Sequence, residues 1–198
     1  PAGRAAAFVG AGHVALIKAA RRECDTVVAS LFVNPTQFGD RADLDAYPRD
    51  EANDARIAAE AGVDYLFVPA LDEIYRPGDA TWVEVEGAAL GLEGESRPGH
   101  FRGVATVCLK LFLIVAPRLA FFGQKDAQQV AVVRQMVHDL KVDLQIRVVP
   151  TVRDPDGLAL SARNARLSPE ERARALAIPR ALGAGIAAAR GGHDPVEA

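Results

Sequence analysis

The chain reads as an α/β protein with a mainly parallel sheet, and three observations predict it. Short apolar strand patterns alternate with helical ones along most of the 198 residues, the order that builds a parallel sheet through right-handed crossovers. Thr26 to Val33 (TVVASLFV) is β-branched and almost wholly apolar, as a strand covered on both faces must be. Phe121 to Gln129 (FFGQKDAQQ) passes from an apolar run through a glycine into a helical pattern, the signature of a strand feeding a helix.

Taken in order, Ala5 to Val9 is a short alanine-rich strand. His13 to Arg22 has apolar residues at helical spacing and basic residues at its end, where the dipole favours them. The strand at Thr26–Val33 ends in a loop of turn residues, Asn34 to Gly39. Asp50 to Ala61 is a helix closed by Gly62, and Tyr65 to Val68 is the next strand. Asp79 to Val85 alternates sides, which predicts an excursion or hairpin arm outside the parallel series. Gly94 to Gly103 (GESRPGHFRG) reads as a loop, and Val104 to Val115 as a helix buried nearly all round. Leu119 to Phe122 and Leu144 to Val149 are strands; between them Val130, Val133, Val137 and Leu140 mark one helical face. A polar turn follows at Asp154 to Gly157. Ser168-Pro169-Glu170-Glu171 then supplies an N-cap, a proline at N1 and a glutamate at N3. Gly183 to Gly192 is rich in small residues and is expected to fray.

Bulk properties exclude several classes. Hydrophobic content of 49% and charged content of 25% are globular values. A net charge of −3 gives no general attraction to nucleic acid or anionic membrane, so neither is expected as a partner. Two isolated cysteines, Cys24 and Cys108, make no disulfide framework or four-ligand zinc site and suit a reducing cytoplasm. No apolar run has membrane-spanning length, and no signal-peptide layout is present.

Chemistry is concentrated in the turns at strand ends, where open α/β sheets bind ligands. At Gly123-Gln124-Lys125-Asp126 a strand stops and a helix starts, leaving backbone N–H groups beside a lysine, a site for a phosphate. A solvated connection is the ordinary alternative, and Asp126 could serve as the helix cap. His13 is either hydrogen-bonded near a helix start or a phosphate ligand, the latter only if Lys125 is near. Asn34 and Gln37 make either Asx-type turns or neutral hydrogen bonds to a polar substrate. Arg97, His100 and Arg102 form a basic loop that is either solvated or an anion clamp. Nucleophile-elbow, Walker and Gly-x-Gly-x-x-Gly patterns are absent. Lysine, arginine, histidine and amides suit phosphate-centred transfer governed by positioning and charge.

Five stretches in order, FVNPTQFG (Phe32–Gly39), DLDAYPRD (Asp43–Asp50), SRPGHFRGVAT (Ser96–Thr106), FFGQKDAQQ (Phe121–Gln129) and DGLALSARN (Asp156–Asn164), resemble the pantothenate synthetase (pantoate–β-alanine ligase) family. The resemblance implies a Rossmann-like nucleotidyl-transferase domain over residues 1–157. It makes residues 158–198 the start of a small C-terminal lid domain, most of which is absent from the sequence. It further implies ATP and Mg²⁺ dependence, pantoate and β-alanine as substrates, a homodimer and a cytoplasmic location.

Residue by residue, the resemblance assigns Gly12 and His13 to the ATP phosphates, with His13 as a proton donor. Gln37 and Gln129 match pantoate-binding glutamines. Gly123, Gln124, Lys125 and Asp126 match an ATP-binding turn whose second residue is usually glutamate. Val152 matches a backbone contact to adenine, and Leu160, Ser161, Ala162 and Arg163 match a Leu-Ser-Ser-Arg phosphate motif with alanine at its second serine. His13, Lys125 and Arg163 are thus the catalytic candidates; no residue is assigned as a metal ligand. The family's Pro-Thr-Met-Gly and first motif histidine would fall between Val9 and Ala11, where only Gly10 stands. Val9-Gly10-Ala11 is therefore expected to be the junction left by a missing loop. Two other readings stay open: a nucleotidylyltransferase acting on a phosphorylated acceptor, and a nucleotide-binding module without catalysis.

Overall fold

The computed structural model describes residues 10–39, 41–47 and 50–194. The first helix, α1 (Ala11–Glu23), starts two residues ahead of the expected pattern, with Gly10 as its N-cap. The backbone N–H of His13 donates to the Gly10 carbonyl at 2.9 Å, so Gly10 and Ala11 are joined within one helical turn. The expected strand at Ala5–Val9 and the junction at Val9 lie outside the described residues.

Strand β1 (Val28–Ser30) pairs in parallel with β2 (Tyr65–Phe67), Val28 opposite Tyr65. Both are cores of longer extended runs: Tyr65 N donates to Val27 O and Leu31 N to Phe67 O. Between them lies α3 (Glu51–Ala61), after a short helix α2 (Arg41–Asp45). Asp50 caps α3 through the Asn53 N–H, and Gly62 ends it at φ 104°, a left-handed turn that favours glycine. Strands β3 (Leu119–Gly123) and β4 (Gln145–Val149) form a second parallel pair, Leu119 opposite Gln145 and Gly123 opposite Val149. The crossover between them is α7 (Ala127–Asp139).

Helices cover both faces of the β3–β4 pair, and the two-residue period of β3 shows how. Ala120 and Phe122 pack into a core of α6 (His100–Val115) and α7 residues: Phe101, Val104, Ala105, Phe112, Val132, Val133 and Met136. Phe121 faces the other way, onto Ile17 and Ala20 of α1, Val27 and Ala61. β3 is half-buried along its length between these helices, whereas Thr26–Val33, expected to be covered on both faces, is not, since Val28 and Ser30 of β1 are exposed. The buried face of α7 is Val130, Val132, Val133 and Met136, whereas Leu140 lies beyond its end and is exposed. Met136 is 1% exposed; truncation to alanine would cost about 2–5 kcal/mol.

Three stretches differ from what their sequence pattern predicts. The 94–103 stretch is not one loop: Leu92–Ser96 is a short helix, α5, after α4 (Leu71–Ile74), and α6 already begins at His100 behind Gly99 at φ 79°. Residues 79–85 are the excursion outside the parallel series that the sequence allows, not a hairpin arm: they form no strand, and Thr106 Oγ1 accepts the Val83 N–H at 3.0 Å. The end of α6 is also less buried than its sequence suggests, since Leu113 and Ile114 are exposed.

Beyond β4, the 154–157 turn closes through Gly157 N to Asp154 O at 2.8 Å. Arg172 clasps both of its aspartates, Asp154 at 2.8 Å and Asp156 at 2.7 Å. Ser168 and Glu171 make the expected capping box on α8 (Pro169–Ala175). The small-residue stretch is helical to Arg190 in α9 (Ala177–Arg190), whose Ile178, Leu182 and Ile186 are exposed. Among the described residues no helix is long and apolar enough to cross a membrane.

Candidate active site

The centre is the turn from β3 into α7. Gly123 ends the strand, Gln124–Asp126 make one 3-10 turn, and α7 follows. Asp126 makes no side-chain cap bond to the helix; it accepts a hydrogen bond from Lys125 Nζ at 3.0 Å instead. A Cβ at Gly10, Gly12 or Gly123 would meet nothing within 4 Å. Packing therefore does not require these glycines, and the backbone at the start of α1 and the end of β3 is open to close approach.

His13 stands in the first turn of α1. Its surface is exposed to solvent, yet protein crowds the ring. That desolvation lowers its pKa, opposed by Asp126 and Asp54 and assisted by Lys125. Lys125 lies within electrostatic reach of His13. Asp126 is also within electrostatic reach of His100, Tyr47 and Arg163. One carboxylate thus marks a point on which groups from α1, the 41–47 segment, α6 and the 162–166 turn all bear.

The loop after β1 is built as a rigid wall. Asn34 is 3% exposed, and its Oδ1 accepts from Thr36 N at 3.3 Å and Thr36 Oγ1 at 2.9 Å, the expected Asx turn. Its Nδ2 donates to Gln37 Oε1 and to Gly103 O, both at 3.2 Å. His100 Nδ1 lies 2.8 Å from the Gln37 carbonyl. A carbonyl only accepts, so Nδ1 carries the proton. Burial lowers the His100 pKa, partly offset by that hydrogen bond. Arg97 Nη1 reaches His100 Nε2 at 3.2 Å and Glu93 at 3.1 Å.

Arg97, His100 and Arg102 do not converge as a clamp. The first two buttress the Gln37 backbone, and Arg102 stacks its guanidinium 5.0 Å from the Trp82 ring centroid. The paired glutamines of α7 divide their work. Gln128 Nε2 donates to Ala88, Leu90 and Gly91 carbonyls at 3.1–3.2 Å, and its Oε1 accepts from Glu93 N at 3.0 Å. Gln129, one residue on, is half-buried.

The last group arrives from beyond β4. Leu160 N donates to Val152 O at 2.9 Å, which sets these two residues side by side across the 154–157 turn. Ser161 Oγ accepts from Arg163 N at 3.2 Å, and Ala162 opens a 3-10 turn to Arg166. Arg163 Nη2 donates to Asp43 Oδ2 at 2.7 Å and lies over the Tyr47 ring, 5.5 Å from its centroid. Asp43, Tyr47, Asp54 and Arg166 are members of this neighbourhood that residue patterns alone did not single out. Their charges and aromatic ring look like an ordinary solvated helix on their own.

Residues 7–196 match the family model described as pantoate-beta-alanine ligase. The chain belongs to the pantoate–β-alanine ligase family. It is 55% identical over 175 residues to the pantothenate synthetase of Chloroflexus aggregans, covering 88% of this chain and 63% of that protein. With that of Citrifermentans bemidjiense it shares 53% identity over 191 residues, 96% of this chain and 68% of that one. The crystal structure of pantothenate synthetase from Thermus thermophilus superposes with a TM-score of 0.89 at 52% identity, covering 94% of this chain and 68% of that one. The Francisella tularensis pantoate-beta-alanine ligase, solved in complex with beta-gamma ATP and beta-alanine, gives 0.81 at 43% identity, covering 86% and 66%. The chain thus spans just under two thirds of the Chloroflexus relative. Its α/β fold with parallel strands is the family's fold.

Proposed function

We propose that the protein condenses pantoate with β-alanine at the expense of ATP. A pantoate carboxylate oxygen attacks the α-phosphorus, the bond to the β-phosphate breaks, and pyrophosphate leaves. The β-alanine amine then attacks the acyl carbon of the adenylate, loses a proton, and AMP departs with the C–O bonding pair. The observation that carries this reading is that His13, Lys125 and Arg163, from three separate segments, all lie within electrostatic reach of Asp126. The relative solved with beta-gamma ATP and beta-alanine supports it.

Lys125, His13 and Arg163 offset charge on the phosphates, and phosphate anions would raise the His13 pKa that burial lowers in the free protein. Loss of one such donor costs roughly 10²–10³ in rate. Gly12, Gly123 and Gln124 offer backbone to the nucleotide, Val152 contributes a backbone contact to adenine, and in the phosphate motif that Leu160 opens Ser161 adds the hydroxyl that Ala162 lacks. Gln37 and Gln129 hold pantoate by neutral hydrogen bonds. Mg²⁺ usually binds through one or two carboxylates plus substrate phosphates. Asp126, whose Oδ1 accepts from Lys125 at 3.0 Å, is the carboxylate of the turn that would share such an ion with the phosphates, and the ion would neutralise charge on the leaving pyrophosphate. We assign residues 1–157 to the nucleotide- and pantoate-binding domain and 158–198 to the start of a lid. A cytoplasmic homodimer is the form the family resemblance implies.

The test is exchange of labelled pyrophosphate into ATP. Exchange that requires pantoate supports the reading; exchange driven by other acids and not by pantoate overturns it.

A further inference from the structure

Arg163 does not stand alone at the site. Its Nη2 and the Nη1 of Arg166 bind the two oxygens of one carboxylate, Asp43, at 2.7 and 3.4 Å. Arg166 Nη2 also donates to Ala46 O at 3.1 Å. Asp43 lies in α2, and Tyr47 just beyond it packs its edge against Phe38 at 5.5 Å, next to Gln37. The carboxylate therefore links the 162–166 turn to the segment that continues the Gln37 loop.

We propose that Asp43 is a positioning residue: it fixes the Arg163 guanidinium toward the nucleotide phosphates and couples that arginine to the acid-binding loop. This rests on the nucleotide-binding part of the reading above. The geometry suits the task. Arg163 presents five N–H donors in a planar fork, and Asp43 occupies one of them, which sets the plane and leaves the others for phosphate oxygens. The Arg163 side chain is half exposed, so without an anchor its long rotamers would be free, and ordering them on binding would weaken affinity. Two arginines on one carboxylate carry a net charge of +1, so the cluster still attracts an anion. The Tyr47 ring beneath Arg163 confines the guanidinium from a second side. Arg163 thus enters the site pre-oriented.

The test uses the full-length protein and α,β-methylene ATP, whose α–β bridge is not cleaved, with affinity measured by calorimetry. Asp43→Asn should weaken binding about 10-fold, because the Arg163 guanidinium loses its charge-assisted anchor. Arg163→Ala should weaken it at least as much, and adding Asp43→Asn to Arg163→Ala should change it less than about 2-fold, because coupled residues are not additive. Asp43→Glu, which keeps the carboxylate, should recover part of the affinity, with melting temperature recorded for each variant. Equal losses in both backgrounds would mean that Asp43 only holds the fold, and no loss in either would mean that it does nothing at the site; either overturns the proposal. The two readings fail separately. Coupling without pantoate-dependent exchange removes the ligase reading alone, and exchange without coupling removes the positioning role alone.

Discussion

Gly103 in α6 and Thr36 in the loop after β1 meet so closely that a Cβ on the glycine would lie 2.5 Å from the Thr36 carbonyl oxygen. The same Cβ would be 2.9 Å from Gln37 N. Helix and loop touch backbone to backbone, and Asn34 spans the joint by donating to the Gly103 carbonyl. Gly103→Ala should destabilise the protein by about 1–3 kcal/mol, the usual cost of overpacking. It should also raise the KM for pantoate more than that for ATP, because Gln37 must move. Thermal denaturation and steady-state kinetics check both halves; an unchanged pantoate KM would separate the joint from the site.

His100 sets a second, pH-dependent prop on the same loop. Its Nδ1–H donates to Gln37 O while Nε2 faces an Arg97 donor, so the neutral ring satisfies both and protonation would break the second. Its folded pKa is lowered, and the unfolded value is about 6.5. Between the two values the unfolded chain binds more protons, so stability rises with pH there. Wild-type protein should lose stability as pH falls from about 6.5 toward the lowered value, and His100→Gln should flatten that slope. An unchanged slope in the variant would assign it to other groups, His13 first.

His13 offers a signature of nucleotide binding itself. Desolvation lowers its pKa in the free protein, and phosphate anions beside it would raise the value again. ATP binding slightly below neutral pH should therefore take up protons, by up to about one per site. Calorimetry in buffers of different ionisation enthalpy measures this. Uptake should vanish in His13→Ala; uptake that persists there would place the titrating group elsewhere.

The adjacent glutamines of α7 should behave oppositely. Gln128 is committed to the 88–93 segment through four hydrogen bonds, so Gln128→Ala should lower stability by about 1–3 kcal/mol with little change in KM. Gln129→Ala should leave the melting temperature in place and raise the KM for pantoate about 10-fold or more, as loss of a substrate hydrogen bond does. The reverse pattern would exchange their roles.

Much of this was legible in the sequence, for identifiable reasons. The β3–turn–α7 unit was readable because apolar run, glycine and helical period coincide within Phe121–Gln129. The 168–171 cap was readable because its spacing has one good geometry. The 94–103 stretch was not, because its glycines look like punctuation, whereas Gly103 is a helical glycine selected by contact with Thr36. Arg102 was placed with the wrong partners because charge alone does not reveal that Trp82 lies beneath it. Asp43 opens one of the stretches that carry the resemblance, but nothing local reveals its role, because its partner Arg163 is 120 residues away.

The most direct measurement is a single-turnover reaction of the full-length protein with α-labelled ATP and pantoate, without β-alanine. The account predicts a labelled pantoyl adenylate in amounts matching the enzyme, with an equal amount of pyrophosphate, converted to AMP when β-alanine is added. It also predicts that Lys125→Ala and Arg163→Ala slow adenylate formation by roughly 10²–10³ while the second step changes less. Tight ATP binding with no adenylate, or adenylate formation indifferent to both substitutions, would contradict it.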